Sequence, residues 1–481
     1  MMTKKILSII VCLCIFQHAF SQEIWTLKRS VEYALANNIS VRQADIQSRL
    51  TALTLKQSRQ MKYPSASVSG SVGVNAGRSI DPTTNLFTNT QLLSTGFSLS
   101  SAMTVFNFFS IKNNIEGSRY DLEASRVNIE KIKNDIAMNV ATAYLLALVA
   151  QEQENIARVS VEQTLQNLEN TRKRVDAGAL PELNLAELEA QLARDSSTLI
   201  ASNNSVRQNI LQLKALLNID AGDPFVIASP PLEQIPVQSF SELQPEAVYN
   251  LALTNLPQQK MNDLRILAAK KFVQAARGQM YPAFSLFAGM GSNYANNKTP
   301  VVTRQPTGTL DTTGAKVQIN GAFYDVVTPG FTNVITTHGV PFTTQMSDNF
   351  RQNIGVQVNI PLFNNGSART AWERSKLNVS SYELQKDQDL LTLKQDIYKA
   401  YNDAVSSFQQ FNAGKKSVQT AEKAYQFAQK RYELGLLSTI DLLTNQNNLT
   451  RARMELSQSQ VDYVFKLKLL EFYKGQGMTL E

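Results

Sequence analysis

The stretch Lys430-Arg431-Tyr432-Glu433-Leu434-Gly435-Leu436-Leu437-Ser438-Thr439-Ile440-Asp441-Leu442-Leu443 decides how this chain is read. A long helical pattern runs into a glycine, which suits the left-handed residue after a helix, and a serine beyond it can open the next helix. Two helices joined by a short turn are therefore expected. The stretch has a twin 257 positions earlier, where Lys173-Arg174 and Gly178 precede Ala179-Leu180-Pro181. Working outward at the same shift, Ala143-Tyr144 matches Ala400-Tyr401 and Phe106 matches Phe363. Nearer the start the shift is 218, so that Ala34-Leu35 and Asn37 recur as Ala252-Leu253 and Asn255, and Tyr63-Pro64 recurs as Tyr281-Pro282. Two constant shifts with one jump indicate a tandem duplication. The second copy carries 39 extra residues between Pro282 and Phe363.

Each copy follows one plan. The first repeat, 22–217, reads as a helix (26–62), strands at about 65–76 and 95–106, a long helix over 107–176 and a return helix over 182–217. A proline-rich linker, 218–241, leads to the second repeat, 242–481. There the expectation is a helix over 242–280, strands at about 283–291 and 350–363, a long irregular segment over 292–349, a long helix over 367–434 and a return helix over 439–475. Tyr-Pro ends the first helix of each copy, because proline pushes the residue before it out of helical geometry.

The strands alternate strictly. Ala66, Val68, Gly70, Val72 and Val74 interleave with Ser65, Ser67, Ser69 and Ser71, and Ile354, Val356, Val358 and Ile360 interleave with Asn353, Gln357 and Asn359. Period two means one apolar and one polar face. A soluble sandwich would also alternate. Here, however, the polar face is serine, asparagine and glutamine with few charges, and about ten residues is the length that crosses a bilayer when tilted. Four strands cannot close a barrel, and open edges cannot sit in lipid. Several chains must then share one barrel, and three would supply twelve strands.

The rest reads as helix. From Asn107 to Val175 there is no proline and one glycine, Gly117, while Ile129, Ile132, Ile136, Val140 and Ala147 keep one face apolar. Such a helix spans about 100 Å at about 1.5 Å per residue, which fits a coiled coil or a tube of packed helices rather than a compact globule. The fold class is therefore mainly α with a small β part.

Of 481 residues, 43% are hydrophobic and 18% charged, and the net charge of +7 is interleaved rather than striped, which argues against nucleic-acid binding. Two cysteines and two histidines leave little for a metal or thiol enzyme. Residues 1–21 read as a cleaved secretory leader, with Lys4 and Lys5 before an apolar run from Ile6 to Phe16 and small residues at Ala19 and Ser21. Cleavage before Gln22 would remove Cys12, Cys14 and His18, leaving His338 alone and no disulfide framework. Val11 and Leu13 before the cysteines argue against a lipoprotein. Gly414-Lys415-Lys416-Ser417 lacks the upstream glycine of a phosphate loop, having Gln409 there, and lies inside a helix. No catalytic, metal or cofactor site is expected, so the chain does not read as an enzyme.

In this plan, and in the Arg-x-x-x-Gly of both turns, the sequence resembles the TolC family of outer-membrane channel proteins. The segment from Gly77 to Asn85 is similar to a loop of Bacteroidetes members. The resemblance implies a homotrimer with one shared 12-stranded barrel in outer-membrane lipid and an α-helical barrel in the periplasm, the linker lying at its equator. It implies a periplasmic adaptor protein and an inner-membrane transporter, RND-type or ABC-type, as partners. It places Arg174, Gly178, Leu180, Arg431, Gly435 and Leu437 at the periplasmic tip where the adaptor docks. Asp441 matches a pore-facing acid of the family, whereas the usual second acid is Thr444 here. The first copy offers Asn184 and Glu187 at the equivalent places, so Asp441 and Glu187 are the gate candidates, six carboxylates in a trimer. Their other reading is a favourable charge near a helix N-terminus. The expected function is export of small molecules such as drugs or metabolites; the alternatives are the exit duct of type I protein secretion and a non-channel periplasmic coiled-coil scaffold. The segment 292–349 would be extracellular and fold over the mouth, so that deleting most of it raises conductance.

Overall fold

The computed structural model describes residues 24–80, 85–89, 91–228, 242–296 and 298–475. The leader read at 1–21, linker residues 229–241 and positions 81–84 of the loop after Gly77 lie outside the described residues. In chain order, β1 (Ile24–Trp25), α1 (Leu27–Asn37) and α2 (Ile39–Gln60) precede β2 (Ser65–Asn75), β3 (Arg78–Ile80), β4 (Phe87–Asn89) and β5 (Leu92–Phe106). Helices α3 (Ser110–Asp176) and α4 (Glu182–Leu217) follow, then β6 (Val226–Ile227), α5 (Pro245–Asn255) and α6 (Pro257–Gly278). Strands β7 (Ala283–Ala295), β8 (Lys298–Ile319) and β9 (Ala322–Gly339), the short α7 (Phe342–Asp348) and β10 (Arg351–Asn359) lead to α8 (Ser367–Glu433) and α9 (Thr439–Tyr473). The chain divides into a helical unit (1–55, 116–271 and 374–481) and a smaller unit (56–115 and 272–373) that holds the four-stranded sheet.

The helical unit repeats its core as it repeats its sequence. One cluster buries Ala34, Val140, Ala143, Tyr144 and Ala147, and the other buries Ala252, Ile397, Ala400 and Ala404, with Tyr401 packed against it. These are the same positions displaced by 218 or 257. The first cluster adds a feature that periodicity does not announce. Strands β1 and β6 pair in parallel, Trp25 stacks on Phe225 at 5.0 Å, and the buried Tyr144 hydroxyl donates to the carbonyls of Trp25 (3.0 Å) and Ala228 (2.7 Å). Burial pushes that phenol up to about 12. Among the described residues, no helix is long and apolar enough to cross a membrane.

The helices expected over 26–62 and 242–280 are each two. In the first copy, the Asn38 side chain donates to the Leu216 carbonyl (2.8 Å) and accepts from the Ser40 amide (2.8 Å), holding its own backbone extended. In the second, Leu256 is extended because Pro257 follows it. The long helix expected from 107 begins at Ser110, since Phe108 and Phe109 have φ of 47° and 62°. Asn365 and Gly366 occupy the same left-handed geometry in the second copy, where it is easily adopted. The phenylalanines are held there by ring contacts, Phe108 on Tyr281 at 4.8 Å and Phe109 on Phe106 at 5.6 Å.

In the smaller unit the strand order is β10-β7-β5-β2, every neighbour antiparallel. Register sets the faces. Rows such as Ser67, Ser100, Gly289 and Asn353 form one, while Val68, Leu99 and Met290 belong to the other. Serine hydroxyls bond across the polar face, Ser67 to Ser100 at 2.9 Å and Ser69 to Ser98 at 2.7 Å. The apolar face is bare, with Val68 78% and Ile354 86% exposed. The strand expected over 350–363 stops at Asn359, two residues before Pro361, which has no amide to donate.

The segment 292–349 is a correction to the irregular reading. Strand β7 runs on to Ala295, and β8 and β9 form one long antiparallel ribbon. Its tip is Asn320-Gly321, with φ of 50° and 83°, the pair that a tight hairpin turn requires. Helix α7 clasps its root, where the Gln345 amide bonds both the amide (3.0 Å) and the carbonyl (2.8 Å) of Ala295 in the manner of a strand partner.

Candidate functional site

Both helical turns close in the same way. Gly178 and Gly435 have φ of 74° and 76°. The amide after each glycine returns to the arginine carbonyl, Ala179 to Arg174 and Leu436 to Arg431, both at 2.8 Å. This six-residue closure needs the left-handed glycine, which explains the spacing from arginine to glycine.

The two arginines then diverge. Arg431 is exposed and reaches its own turn, donating to the Leu436 carbonyl at 3.4 Å. Arg174 crosses to the other hairpin, donating to the Tyr432 carbonyl (3.0 Å) with its guanidinium 5.7 Å from the Tyr432 ring. It therefore caps a helix end and bridges two hairpins at once. Leu180 is half-buried, and Leu437 packs against the apolar cluster that includes Tyr425, Tyr432 and Leu442. The apolar side chains left open around the turns are Leu183, Leu434, Leu436 and Ile440.

Asp441 lies in the first turn of α9 and is exposed. Its amide donates to the Ser438 hydroxyl (3.1 Å), and that hydroxyl donates to its carboxylate (2.7 Å). The helix start is thereby closed reciprocally. Glu187 is half-buried on α4, whose start at Pro181 has no side-chain cap. Its neighbour Glu189 pairs with Arg172 at 3.2 Å. Among the described residues, no hydrogen bond joins Glu187 to Asp441 within one chain. The equivalents Asn184 and Thr444 also carry no acid.

The sequence pattern described as outer membrane efflux protein matches residues 31–218 and 248–475, one span in each repeat. The chain belongs to that family. The alkaline protease secretion protein AprF of Pseudomonas aeruginosa is 22% identical over 345 residues, which cover 71% of this chain and 61% of AprF. The outer membrane protein TolC of Escherichia coli is 21% identical over 339 residues, 70% of this chain and 61% of TolC. The matched stretch thus spans under two thirds of either relative. Among solved structures, CusC superposes with a TM-score of 0.74 at 16% identity, over 93% of this chain and 92% of CusC. The fold is that of these channel proteins.

This member of the outer membrane efflux protein family also holds a buried polar ladder that sequence reading missed. Thr164 on α3 donates to Asp195 on α4 (2.6 Å) and accepts from Gln446 on α9 (2.6 Å). Gln191 donates to Asp195 (2.7 Å) and to Asn447 (3.0 Å). Nearer the turns, the Thr171 and Tyr432 hydroxyls meet at 2.7 Å, tying α3 to α8. Thr164, Asn167 and Thr171 sit at spacings of three and four, one face of a helix, all buried. A search for apolar periodicity passes over a polar stripe of the same period; asking where polar residues keep helical spacing would have found it.

Proposed function

We propose that this chain is one protomer of a homotrimeric outer-membrane export duct that works with a periplasmic adaptor and an inner-membrane pump. The open four-stranded sheet carries the reading. Its apolar face is bare, its other face is mostly hydroxyl, amide and glycine, and the outer side of each edge strand, β2 and β10, is unpaired among the described residues. Water cannot satisfy such edges in lipid, so neighbouring copies must. Three copies close twelve strands with polar residues inward. The cargo is small molecules, exported outward from the periplasm. AprF, named for protease secretion, supports protein export as the second reading. In a deletion strain, sensitivity to dyes and detergents favours the first, and loss of one secreted polypeptide favours the second.

The turns would form the periplasmic tip and dock the adaptor, with Arg174, Gly178, Leu180, Arg431, Gly435 and Leu437 shaping the surface. The exposure of Leu434 (73%) and Leu436 (64%) supports a protein partner there. Asp441 and Glu187 would narrow the pore. The test is conductance of the purified protein in a planar bilayer beside Asp441→Ala. The wild type should give small cation-preferring steps, and removing three carboxylates should enlarge them by about twofold or more. Equal steps would move the constriction away from Asp441. Protein that never inserts, and is extracted by alkali rather than detergent, would sink the duct in favour of a periplasmic scaffold.

A further inference from the structure

The four strands of the large sheet carry one charged side chain between them, Arg351. Register places it on the polar face, in the row Ser69, Ser98, Gly291, Arg351. The row beside it is Ser67, Ser100, Gly289, Asn353, and the next is Ser65, Ala102, Phe287, Gly355. No carboxylate lies on either face, so no acid within the sheet can neutralise the guanidinium. The side chain is exposed and has no hydrogen-bond or ion-pair partner among the described residues. The position facing it across the strand pair is confined to glycine by packing, because a Cβ on Gly291 would fall 2.7 Å from the Phe97 carbonyl oxygen. The residue directly paired with Arg351 therefore has no side chain to cover the guanidinium. A trough of about 580 Å³ on the sheet is lined by Arg351, Asn353, Ser67, Ser98 and Ser100 together with apolar residues such as Phe97 and Phe287. It combines a permanent cation with hydroxyls and an amide, the donor set that suits carboxylates, phosphates and sulfonates.

We propose that Arg351 sets a local charge preference within the barrel, opposite in sign to that of Asp441 and Glu187: in the assembled duct three guanidinium groups form a ring, facing otherwise neutral walls, that draws anions toward that level of the pore and so raises the chloride share of the current. This rests on the trimeric duct proposed above. An isolated charge in a pore draws counter-ions over about one Debye length, roughly 30 Å in 0.01 M salt and 3 Å in 1 M. Its influence should therefore be large in dilute electrolyte and vanish in concentrated electrolyte.

The test uses full-length protein in a planar bilayer under a KCl gradient, reading the chloride-over-potassium permeability ratio from the reversal potential. With the dilute side near 0.01 M, Arg351→Gln should lower the ratio about threefold and Arg351→Glu should lower it further, while Arg351→Lys keeps it. In about 1 M salt all four proteins should converge. Channels whose reversal potential ignores residue 351 in dilute salt overturn the ring and leave the duct standing. If none of the four proteins conducts, the duct falls and the ring falls with it.

Discussion

Leu99→Arg should all but abolish the membrane-assembled protein, while Ser100→Arg, one residue along the same strand, should assemble and conduct less. Leu99 stands near the middle of β5, paired with Val68 on one side and Met290 on the other, on the face that meets lipid in the proposed barrel. An arginine at the midplane of a barrel's lipid face costs about 2–4 kcal/mol, and three copies in one barrel raise that to roughly 6–12 kcal/mol per assembly. Ser100 points the other way, between Ser67 and Gly289. An arginine there loses one hydroxyl contact, that of Ser67 at 2.9 Å, and meets the flexible Asn353 side chain that lies over Gly289 and can turn aside. The measurement is the amount of trimer recovered from outer membranes with detergent, followed by conductance of what is recovered. A tenfold or greater loss for Leu99→Arg, with normal recovery of Ser100→Arg, fits the assigned faces. Equal recovery of both would remove the barrel, and the reverse order would turn it inside out.

That contrast is legible in the amino-acid sequence, because alternation assigns each strand residue to a face without knowledge of its neighbours. The duplication is legible for a similar reason: matched residues keep their spacing, and buried Ala34 and Ala252 prove to be the same position in two cores. What is not legible depends on single residues satisfying long-range partners. Asn38 breaks a helix by bonding Leu216, 178 positions away. Phe108 and Phe109 take a left-handed geometry that the sequence signals only in the second copy, as Asn365-Gly366. The ribbon is hidden by its own punctuation. Pro300, Pro306 and Pro329 argue against strands, and Gly308 and Gly314, both at positive φ, lie where its register shifts. Asn320-Gly321 is the informative signal within it. For the site, the turns are legible from glycine and serine chemistry. The division of labour between Arg174 and Arg431 is not, since both occupy the same motif position and only one crosses to the other hairpin.

The polar ladder sets the second large expectation, that Thr164→Val should loosen the contact between the two hairpins. Valine has nearly the shape of threonine, so the packing around this fully buried site stays filled. What disappears is the centre of the ladder. Asp195 loses the hydroxyl donor at 2.6 Å, and the Gln446 amide loses its shortest acceptor, also at 2.6 Å. A buried carboxylate short of one donor and a buried amide short of one acceptor together cost about 2–4 kcal/mol. Local opening should then quicken amide exchange along 160–195 and 440–450 by roughly 30- to 1000-fold, without touching the sheet. Thr450→Val is the control, since its hydroxyl meets Ser160 only at 3.4 Å in a half-buried setting. It should change exchange less than about threefold, in keeping with a cost near 0.5 kcal/mol. Equal exchange in the two variants would mean that the hairpins are held by their leucines, Leu168, Leu188 and Leu443, and that the ladder contributes only register. Unequal exchange would place the holding force in polar contacts. Partner binding or a change in charge can rearrange such contacts more readily than a close-packed apolar seam, which has no alternative partner of comparable energy.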